Sequence, residues 1–117
     1  MRDLRDYLAT IYQIPLLSRE EELALARRWR EHGDREAAGK LVGPYLRLVA
    51  KIARGMSGYG VDYDELVALG NVGITNALRD YDPERGYTFG TFARHWILHE
   101  IRHHALSNCS LVKSRPT

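Results

Sequence analysis

Apolar residues recur every three or four positions along most of the chain, which is the periodicity of amphipathic α-helices. The first such segment ends at Pro15, and a second begins at Ser18, which forms a capping-box signature with Glu21. Gly33 is suited to end this helix and Asp34 to begin the next one. No useful stretch alternates apolar and polar residues as a strand would. The pattern therefore predicts an all-α fold, a compact helical bundle of four to five helices with short loops.

The rest of the chain continues this helical prediction. Gly43-Pro44 should kink or interrupt the helix that begins after Asp34. The later boundaries predicted are a helix from about Tyr63 to Tyr81 capped near Asp62, a last helix from about Phe89 to Leu106 capped by Thr88, and a tail over residues 107–117 without periodicity.

Two glycines, Gly70 and Gly73, lie inside the predicted helix that begins at Tyr63. A glycine in a helix interior costs about 1 kcal/mol relative to alanine, so we expect a neighbouring helix to approach closely there. Asn71 would then project away from that contact. It is either an exposed binding group or an ordinary solvent-facing side chain.

The size and composition of the chain are those of one folded domain. It has 117 residues and a single cysteine, Cys109, so no internal disulfide can form and a reducing compartment is expected. The charged segment Met1–Asp6 lacks the apolar core of a signal peptide. The longest nearly apolar stretch, Leu66–Ile74, is far shorter than the roughly 20 residues that span a bilayer. We therefore expect a cytoplasmic protein without a membrane partner.

Charge is distributed unevenly around the net value of +2. Residues 1–84 contain 12 Lys and Arg against 14 Asp and Glu, whereas residues 85–117 contain 5 against the single Glu100. The balance is therefore −2 in the first part and +4 in the second, which also contains four of the five histidines. This basic end indicates either a segment that faces a polyanion or a solvated tail.

The sequence contains no motif of an enzyme active site. It has no phosphate-binding glycine loop after a strand and no nucleophile elbow, and Cys109 has no evident base beside it. His95, His99 and His103 share one helix face and could bind a metal ion, or they form a polar stripe. No cysteine or aspartate accompanies them at a zinc-motif spacing, so we expect no enzyme activity, no metal and no cofactor.

Aromatic residues are concentrated before and within the last predicted helix, where five of the 11 in the chain lie between Tyr81 and Trp96. The buried face of this helix should contain Phe89, Ala93, Ile101 and either Trp96 or Ile97. The remaining rings lie beside cationic side chains, which is the combination that unstacked bases require. The alternative is that every aromatic residue belongs to the core.

Several motifs, in order along residues 4 to 113, resemble the sigma-70 class of bacterial RNA polymerase sigma factors, and most closely the heat-shock type. The segments that resemble region 1.2 and the start of region 2 are Pro15–Glu22, Gly33–Ala38 and Leu46–Val49. The segments that resemble the polymerase-binding helix, its following turn and the promoter-opening helix are Gly70–Ile74, Tyr81–Gly86 and Phe89–Ile97.

The resemblance implies a mechanism and a set of partners. In this family, the helix matching Leu66–Leu78 docks on the coiled coil of the β′ subunit of core RNA polymerase. The helix matching Phe89–His103 holds the non-template strand of the promoter −10 element, with one adenine flipped into an aromatic pocket. The implied polymerase-binding residues are Asp64, Glu65, Ala68, Leu69, Asn71 and Thr75. The implied DNA-binding residues are Arg85, Tyr87, Phe89, Phe92, Arg94, His95, Trp96, His99, Arg102 and His103.

Individual positions match particular roles in that family. Tyr87 and Phe92 match the pocket aromatics, and His95-Trp96 match the aromatic pair at the upstream fork of the opened DNA. The positions that face the upstream edge of the element are His99 and Arg102, and those suited to phosphate contacts are Arg85 and Arg94.

Three departures from the family pattern affect the expected function. Ala68-Leu69 replaces the usual Gln-Glu pair of the polymerase-docking helix, which should alter docking. Leu98 and Thr88 stand where a basic residue is common, which should lower DNA affinity.

The resemblance predicts a single domain over residues 1–117, similar to sigma regions 1.2 and 2, with regions 3 and 4 absent. Its parts are residues 1–58 with region 1.2 and the first core helices, the docking helix 62–81, the −10 helix 87–106 and the tail 107–117. The expected function is transcription initiation at the nucleoid, with a partner protein that binds upstream DNA. The alternatives are an interaction module that occupies polymerase or an anti-sigma protein without opening DNA, and a fragment of a longer sigma factor.

Overall fold

The computed structural model describes residues 2–58 and 60–113, and the side chains within residues 5–58 and 60–104. This described part is helical and contains no β-strand, so the predicted all-α fold class is confirmed. The α-helices are α1 (Arg2–Ile11), α2 (Arg19–His32), α3 (Arg35–Val42), α4 (Leu46–Met56), α5 (Tyr63–Asp80) and α6 (Phe89–Lys113), with 3₁₀ turns at Gly43–Tyr45 and Pro83–Arg85. None of the described helices is both long and apolar enough to cross a membrane.

The predicted interruption at Gly43-Pro44 is confirmed. Pro44 has no N–H to donate, and the backbone passes through a single 3₁₀ turn between α3 and α4. Since α3 and α4 continue one another through this turn, they form one kinked unit. Counted in this way, residues 2–58 and 60–113 form five helical units, within the predicted four to five.

The N-terminal caps follow the sequence signals closely. The Ser18 Oγ accepts a hydrogen bond from the Glu21 N–H at 3.1 Å, and the Glu21 carboxylate accepts one from the Ser18 N–H at 2.9 Å. Asp34 caps α3 by accepting from the Ala37 N–H at 3.1 Å. Asp62 occupies the N-cap position of α5 as expected, but its side chain makes no capping hydrogen bond.

The last helix is longer than the hydrophobic pattern predicted. α6 continues to Lys113, so the predicted end near Leu106 and the irregular tail are wrong for residues 107–113. Each residue added to an existing helix gains a backbone hydrogen bond without a new nucleation cost, and no proline interrupts the chain between Phe89 and Lys113. Residues 114–117 of the predicted tail lie outside the described residues.

Two groups of buried side chains form the core, and α5 and α6 contribute to both. The first group is Val49, Ala53, Val61, Leu66, Val67, Ile74, Ile97 and Ile101. The second group is Leu25, Ala26, Ala37, Leu41, Ala77, Tyr81, Phe89 and Ala93. Of the two alternatives for the buried face of α6, Ile97 is fully buried and Trp96 is half-buried.

Both glycines of α5 face a neighbouring helix, as predicted. A Cβ atom at Gly73 would lie 2.6 Å from the backbone oxygen of Trp96 and 2.8 Å from the Cα of Ile97. At Gly70, it would lie 2.5 Å from a methyl carbon of Val49. The close backbone approach of α5 and α6 therefore requires glycine at position 73, which explains why the lower helix propensity is tolerated.

Replacing Gly73 with alanine should destabilise the fold by about 1–3 kcal/mol, because the added methyl group meets backbone atoms that cannot rotate away. Urea-induced unfolding would measure this change. Gly39→Ala in α3 is the matched control, since nothing lies within 4 Å of the added Cβ atom. The higher helix propensity of alanine should stabilise the fold of this variant by up to about 1 kcal/mol. Equal stability of Gly73→Ala and the wild type would contradict the close contact.

Candidate nucleic-acid interface

The aromatic side chains around the start of α6 form a continuous series whose inner end lies in the core. Phe89 lies between Tyr45 and Tyr81, with ring centroids 5.4 Å and 5.2 Å away in edge-to-face geometry. Phe89 has 0% of its surface exposed, so it cannot stack on a base. This burial corrects the expected DNA-binding role of Phe89, which instead anchors the start of α6.

Tyr87 and Phe92 form a partly exposed pair next to this anchor. Both are half-buried, and their rings are stacked with centroids 5.3 Å apart and planes inclined by 30°. Tyr81 supports the pair from the core side, where its hydroxyl donates a hydrogen bond to the Tyr87 carbonyl oxygen at 2.8 Å. Its ring lies 5.7 Å from Tyr87 and 5.8 Å from Phe92. The pair is therefore held in place and keeps part of its surface accessible.

The series continues along α6 and becomes progressively more exposed. The Trp96 ring lies 6.5 Å from Phe92 and 5.7 Å from His99, edge-to-face in both cases. The imidazoles of His99 and His103 are exposed and nearly parallel, with centroids 6.0 Å apart. We call Tyr87, Phe92, Trp96, His99 and His103 the aromatic stripe. The structure thus brings together five of the predicted DNA-binding residues.

The four other predicted DNA-binding residues outside the core are exposed but differ in their position relative to the aromatic stripe. His95 and Arg102 each lie three positions after a stripe residue, which is about 60° around the helix axis. Arg94 lies two positions after Phe92, about 160° away, so it does not border the stripe. Arg85 precedes α6 in the turn, where its side chain is 70% exposed and pairs with Asp82 at 3.4 Å.

The exposed face of α5 contains most of the predicted polymerase-binding residues. Asp64, Glu65, Ala68 and Thr75 are exposed, whereas Leu69 is half-buried and packs against the first core group. Val72 is 49% exposed and lies on the same face, although it was not among the predicted polymerase-binding residues. Its spacing in the sequence indicates this position, because residues three and four apart, here Thr75 and Ala68, share a helix face.

Asn71 is not solvent-facing, and the packing of α1 explains why. Its side chain is half-buried, and its amide nitrogen donates to the Tyr7 hydroxyl at 3.4 Å. Its amide oxygen is buried and has no hydrogen-bond partner among the residues that the structure describes. The prediction that Asn71 projects into solvent is therefore wrong, because α1 covers this position of α5.

The turn between α5 and α6 is attached to α2 by arginines. Arg27 forms a two-point ion pair with Glu84, with nitrogen–oxygen distances of 2.8 Å and 3.2 Å. Arg30 donates to the Tyr81 carbonyl oxygen at 3.1 Å and lies 3.7 Å from Asp82. Hydrogen bonding to Arg27 lowers the pKa of Glu84, and the Glu84 N–H lowers the pKa of Asp82. These contacts position the segment that carries Arg85 and Tyr87.

A buried carboxylate from α2 meets the N-terminus of α6. Glu22 is 5% exposed, and one of its oxygens accepts a hydrogen bond from the Phe89 N–H at 3.1 Å. The other oxygen accepts from the Tyr45 hydroxyl. Burial and the adjacent Glu22 carboxylate raise the pKa of Tyr45, so the phenol remains a donor. No local spacing in the sequence connects Glu22 with Phe89, so the sequence pattern does not predict this contact.

In the part of the chain whose side chains are described, no three or more His, Cys, Asp or Glu side chains are grouped so that they could hold a metal ion. His104 is instead 3.4 Å from Glu100 on the same helix, and Glu100 accepts a hydrogen bond from Asn76 of α5 at 3.0 Å.

The sequence matches two family models whose order agrees with this architecture. The model described as "Sigma-70 factor, region 1.2" matches residues 4–35, and "Sigma-70 region 2" matches residues 41–108, more than half of the chain. The chain belongs to the sigma-70 family. The members of this family are transcription initiation factors and not enzymes, so family membership confirms the expected lack of enzymatic activity.

Similar curated proteins carry the name "RNA polymerase sigma factor RpoH". The protein from Rhizobium radiobacter is 48% identical over 114 residues, which are 97% of this chain and 38% of the relative. The protein from Caulobacter vibrioides is 46% identical over 114 residues, 97% of this chain and 39% of the relative. The protein from Zymomonas mobilis is 46% identical over 116 residues, which are 99% of this chain and 38% of the relative. The chain thus spans less than two fifths of the length of these relatives, and the matches confirm the resemblance to sigma factors.

The surface carboxylates with lowered pKa values should make the fold sensitive to acid. Glu21, Asp34, Asp82 and Glu84 all have a pKa below the ordinary range because they accept hydrogen bonds in the folded chain. Their stabilising effect is complete above the pKa values of the unfolded chain and is lost as the pH falls through the lowered folded values. The thermal unfolding temperature should therefore fall as the pH drops below roughly 4.

Glu84→Gln should reduce part of this acid dependence, because it removes one of the carboxylates whose pKa is lowered in the folded chain. Glu20→Gln is the matched control, since Glu20 is exposed and makes no side-chain hydrogen bond within the described residues. Thermal unfolding followed by circular dichroism between pH 7 and pH 2.5 would compare the three proteins. If the unfolding temperatures of Glu84→Gln and Glu20→Gln fall by the same amount as the pH is lowered, the Arg27–Glu84 pair does not contribute to the acid dependence.

Proposed function

We propose that this chain is the promoter-opening part of a sigma factor, which binds core RNA polymerase through α5 and holds the non-template strand of the −10 element along α6. The observation that carries this proposal is the half-buried Tyr87–Phe92 pair, stacked at 5.3 Å and continued by the exposed rings of α6. The match to sigma-70 region 2 includes all of these residues, which supports the assignment.

The flipped adenine of the −10 element would bind at the Tyr87–Phe92 pair. Taking a base out of the DNA stack costs a few kcal/mol, and a fixed aromatic surface returns about 1–3 kcal/mol for each stacked base. Because Tyr81 fixes the Tyr87 backbone by a 2.8 Å hydrogen bond, the surface exists before DNA binds. Trp96 would then pack against the fork where the duplex resumes.

Cationic groups beside the aromatic stripe would hold the phosphates of the same strand. Arg102 borders the stripe along α6 and Arg85 precedes it in the turn, and the imidazole of His95 adds a hydrogen-bonding group beside the stripe. Residues 85–117 have a balance of +4, which favours a polyanion over a neutral partner. Recognition of sequences further upstream would come from another DNA-binding unit, in the same polypeptide or in a partner protein. This function would take place at the bacterial nucleoid.

The polymerase contact would use the exposed face of α5. Asp64 and Glu65 provide charge at its N-terminal end, and Ala68, Val72 and Thr75 extend the face along the helix. This face is independent of the side of α5 that packs on α6, so polymerase and DNA could bind simultaneously. In the family, the partner of this face is the coiled coil of the β′ subunit.

A second function is favoured by the apolar character of this α5 face. Val72 is 49% exposed next to Ala68, which suits a protein partner even without DNA. The chain would then occupy polymerase or an anti-sigma protein without opening the promoter. This function predicts polymerase binding that does not require the aromatic stripe.

Phe92→Ala should weaken binding to a single-stranded −10 oligonucleotide by about 5- to 150-fold, which corresponds to the roughly 1–3 kcal/mol of one stacked base. Fluorescence anisotropy with a labelled non-template strand would measure the affinity, and circular dichroism would verify the fold. Tyr12→Ala is the matched control, because it removes a 53% exposed aromatic ring from another part of the surface. Unchanged affinity of Phe92→Ala would count against the base-stacking role.

Transcription assays would separate the two functions. With core polymerase, the chain should support initiation on a duplex promoter and on a template that is already melted at the −10 element. Phe92→Ala and Trp96→Ala should lose most activity on the duplex while binding polymerase normally. Polymerase binding without initiation on either template, in the presence of cell extract as a source of partners, would instead support the interaction module.

A further inference from the structure

Among the residues whose side chains are described, Glu22 is the one charged residue that is buried, with only 5% of its surface exposed. It belongs to α2, in the part of the chain that matches region 1.2, far in sequence from the aromatic stripe. A carboxylate is costly to bury unless its oxygens are hydrogen-bonded, and an apolar residue would fill the same space without that cost. The presence of Glu22 therefore indicates a requirement for its hydrogen bonds.

The hydrogen bonds of Glu22 fix the beginning of α6. The first N–H groups of a helix lack partners within the helix, and a negative charge near them is stabilising. Glu22 provides both, because one oxygen accepts from the Phe89 N–H at 3.1 Å while the other accepts from the Tyr45 hydroxyl. Arg19 lies 3.4 Å from the first oxygen and partly balances the charge.

The position of Phe89 is transmitted to the Tyr87–Phe92 pair by direct contacts. The Phe89 ring is held between Tyr45 and Tyr81, at 5.4 Å and 5.2 Å. Tyr81 in turn holds the Tyr87 carbonyl by its hydroxyl and packs its ring 5.8 Å from Phe92. A displacement of the α6 N-terminus would therefore change the spacing of the pair that is accessible to a base.

We propose that Glu22 is a positioning residue for the base-binding pair: its carboxylate sets where α6 begins and thereby the separation of Tyr87 and Phe92, without touching DNA. The ion pair of Arg27 with Glu84 attaches the preceding turn to the same helix, so α2 holds this segment at more than one point. The inference rests on the proposed function, because it assigns Glu22 to the site where that function places the flipped adenine.

The variant Glu22→Gln tests this role while keeping the shape of the side chain. An amide has one acceptor oxygen and one donor nitrogen, so it cannot accept from both the Phe89 N–H and the Tyr45 hydroxyl. The affinity of the 117-residue chain would be measured for two −10 strands, one complete and one with an abasic site in place of the flipped adenine. The ratio of the two affinities reports base binding separately from phosphate contacts.

The wild type should bind the complete strand more tightly than the abasic strand. Glu22→Gln should reduce this preference at least about fivefold, the equivalent of 1 kcal/mol. The affinity of Glu22→Gln for the abasic strand should differ from that of the wild type by less than about twofold. Glu20→Gln, on an exposed position of the same helix, should leave both affinities unchanged. Tyr45→Phe is the second variant if Glu22→Gln does not fold, because it removes one hydrogen bond from Glu22 and leaves the bond to Phe89; it should reduce the preference in the same direction.

Three outcomes would overturn the proposal. A preference retained in both Glu22→Gln and Tyr45→Phe would show that Glu22 does not position the pair. An equal loss of affinity for both strands would assign Glu22 a purely structural role. If the wild type itself shows no preference for the complete strand, the base-binding pair of the proposed function fails, and the role of Glu22 fails with it.

Discussion

The close contact between α5 and α6 is the constraint on which the rest of the architecture depends. Gly73 allows the two backbones to meet, since a Cβ atom there would lie 2.6 Å from the Trp96 backbone oxygen. Because α5 and α6 pack against each other through these sides, the opposite face of each helix remains accessible. The α5 face with Ala68 and Val72 is then available to a protein, and the aromatic stripe of α6 is available to a nucleic acid. One rigid pair of helices can therefore connect two partners.

The aromatic residues near α6 divide into two roles because of their angular positions around one helix. Phe89 points into the core with Ala93 and Ile97, whereas Phe92 and Trp96 lie at the edge of that buried face. Tyr81 joins the two groups, because its buried ring contacts Phe89 edge-to-face and Phe92 at a tilt, so the accessible rings are supported by buried ones. In the proposed function, a base that binds to rings supported in this way requires little rearrangement of the protein, which preserves affinity.

Much of the fold could be predicted because the relevant signals are local. Ser18 with Glu21, Asp34 and the pair Gly43-Pro44 act within one helical turn, and their predicted effects are confirmed. The prediction for Asn71 was wrong because α1, distant in sequence, packs over it. The length of α6 was also misjudged, since a hydrophobic pattern does not show where a helix stops. The burial of Phe89 agrees with its place on the predicted apolar face and excludes the base contact that the resemblance implied for it.

The sequence by itself determined the all-α class, most helix boundaries, the need for a close approach at Gly70 and Gly73 and the resemblance to sigma factors, because each of these is indicated by short local motifs. Only the tertiary structure decided which rings are accessible and how the start of α6 is held. Glu22 shows the physical reason: its partners Tyr45 and Phe89 lie 23 and 67 positions away. A hydrogen bond between such distant residues leaves no periodicity in the sequence, and it forms only when the helices have packed.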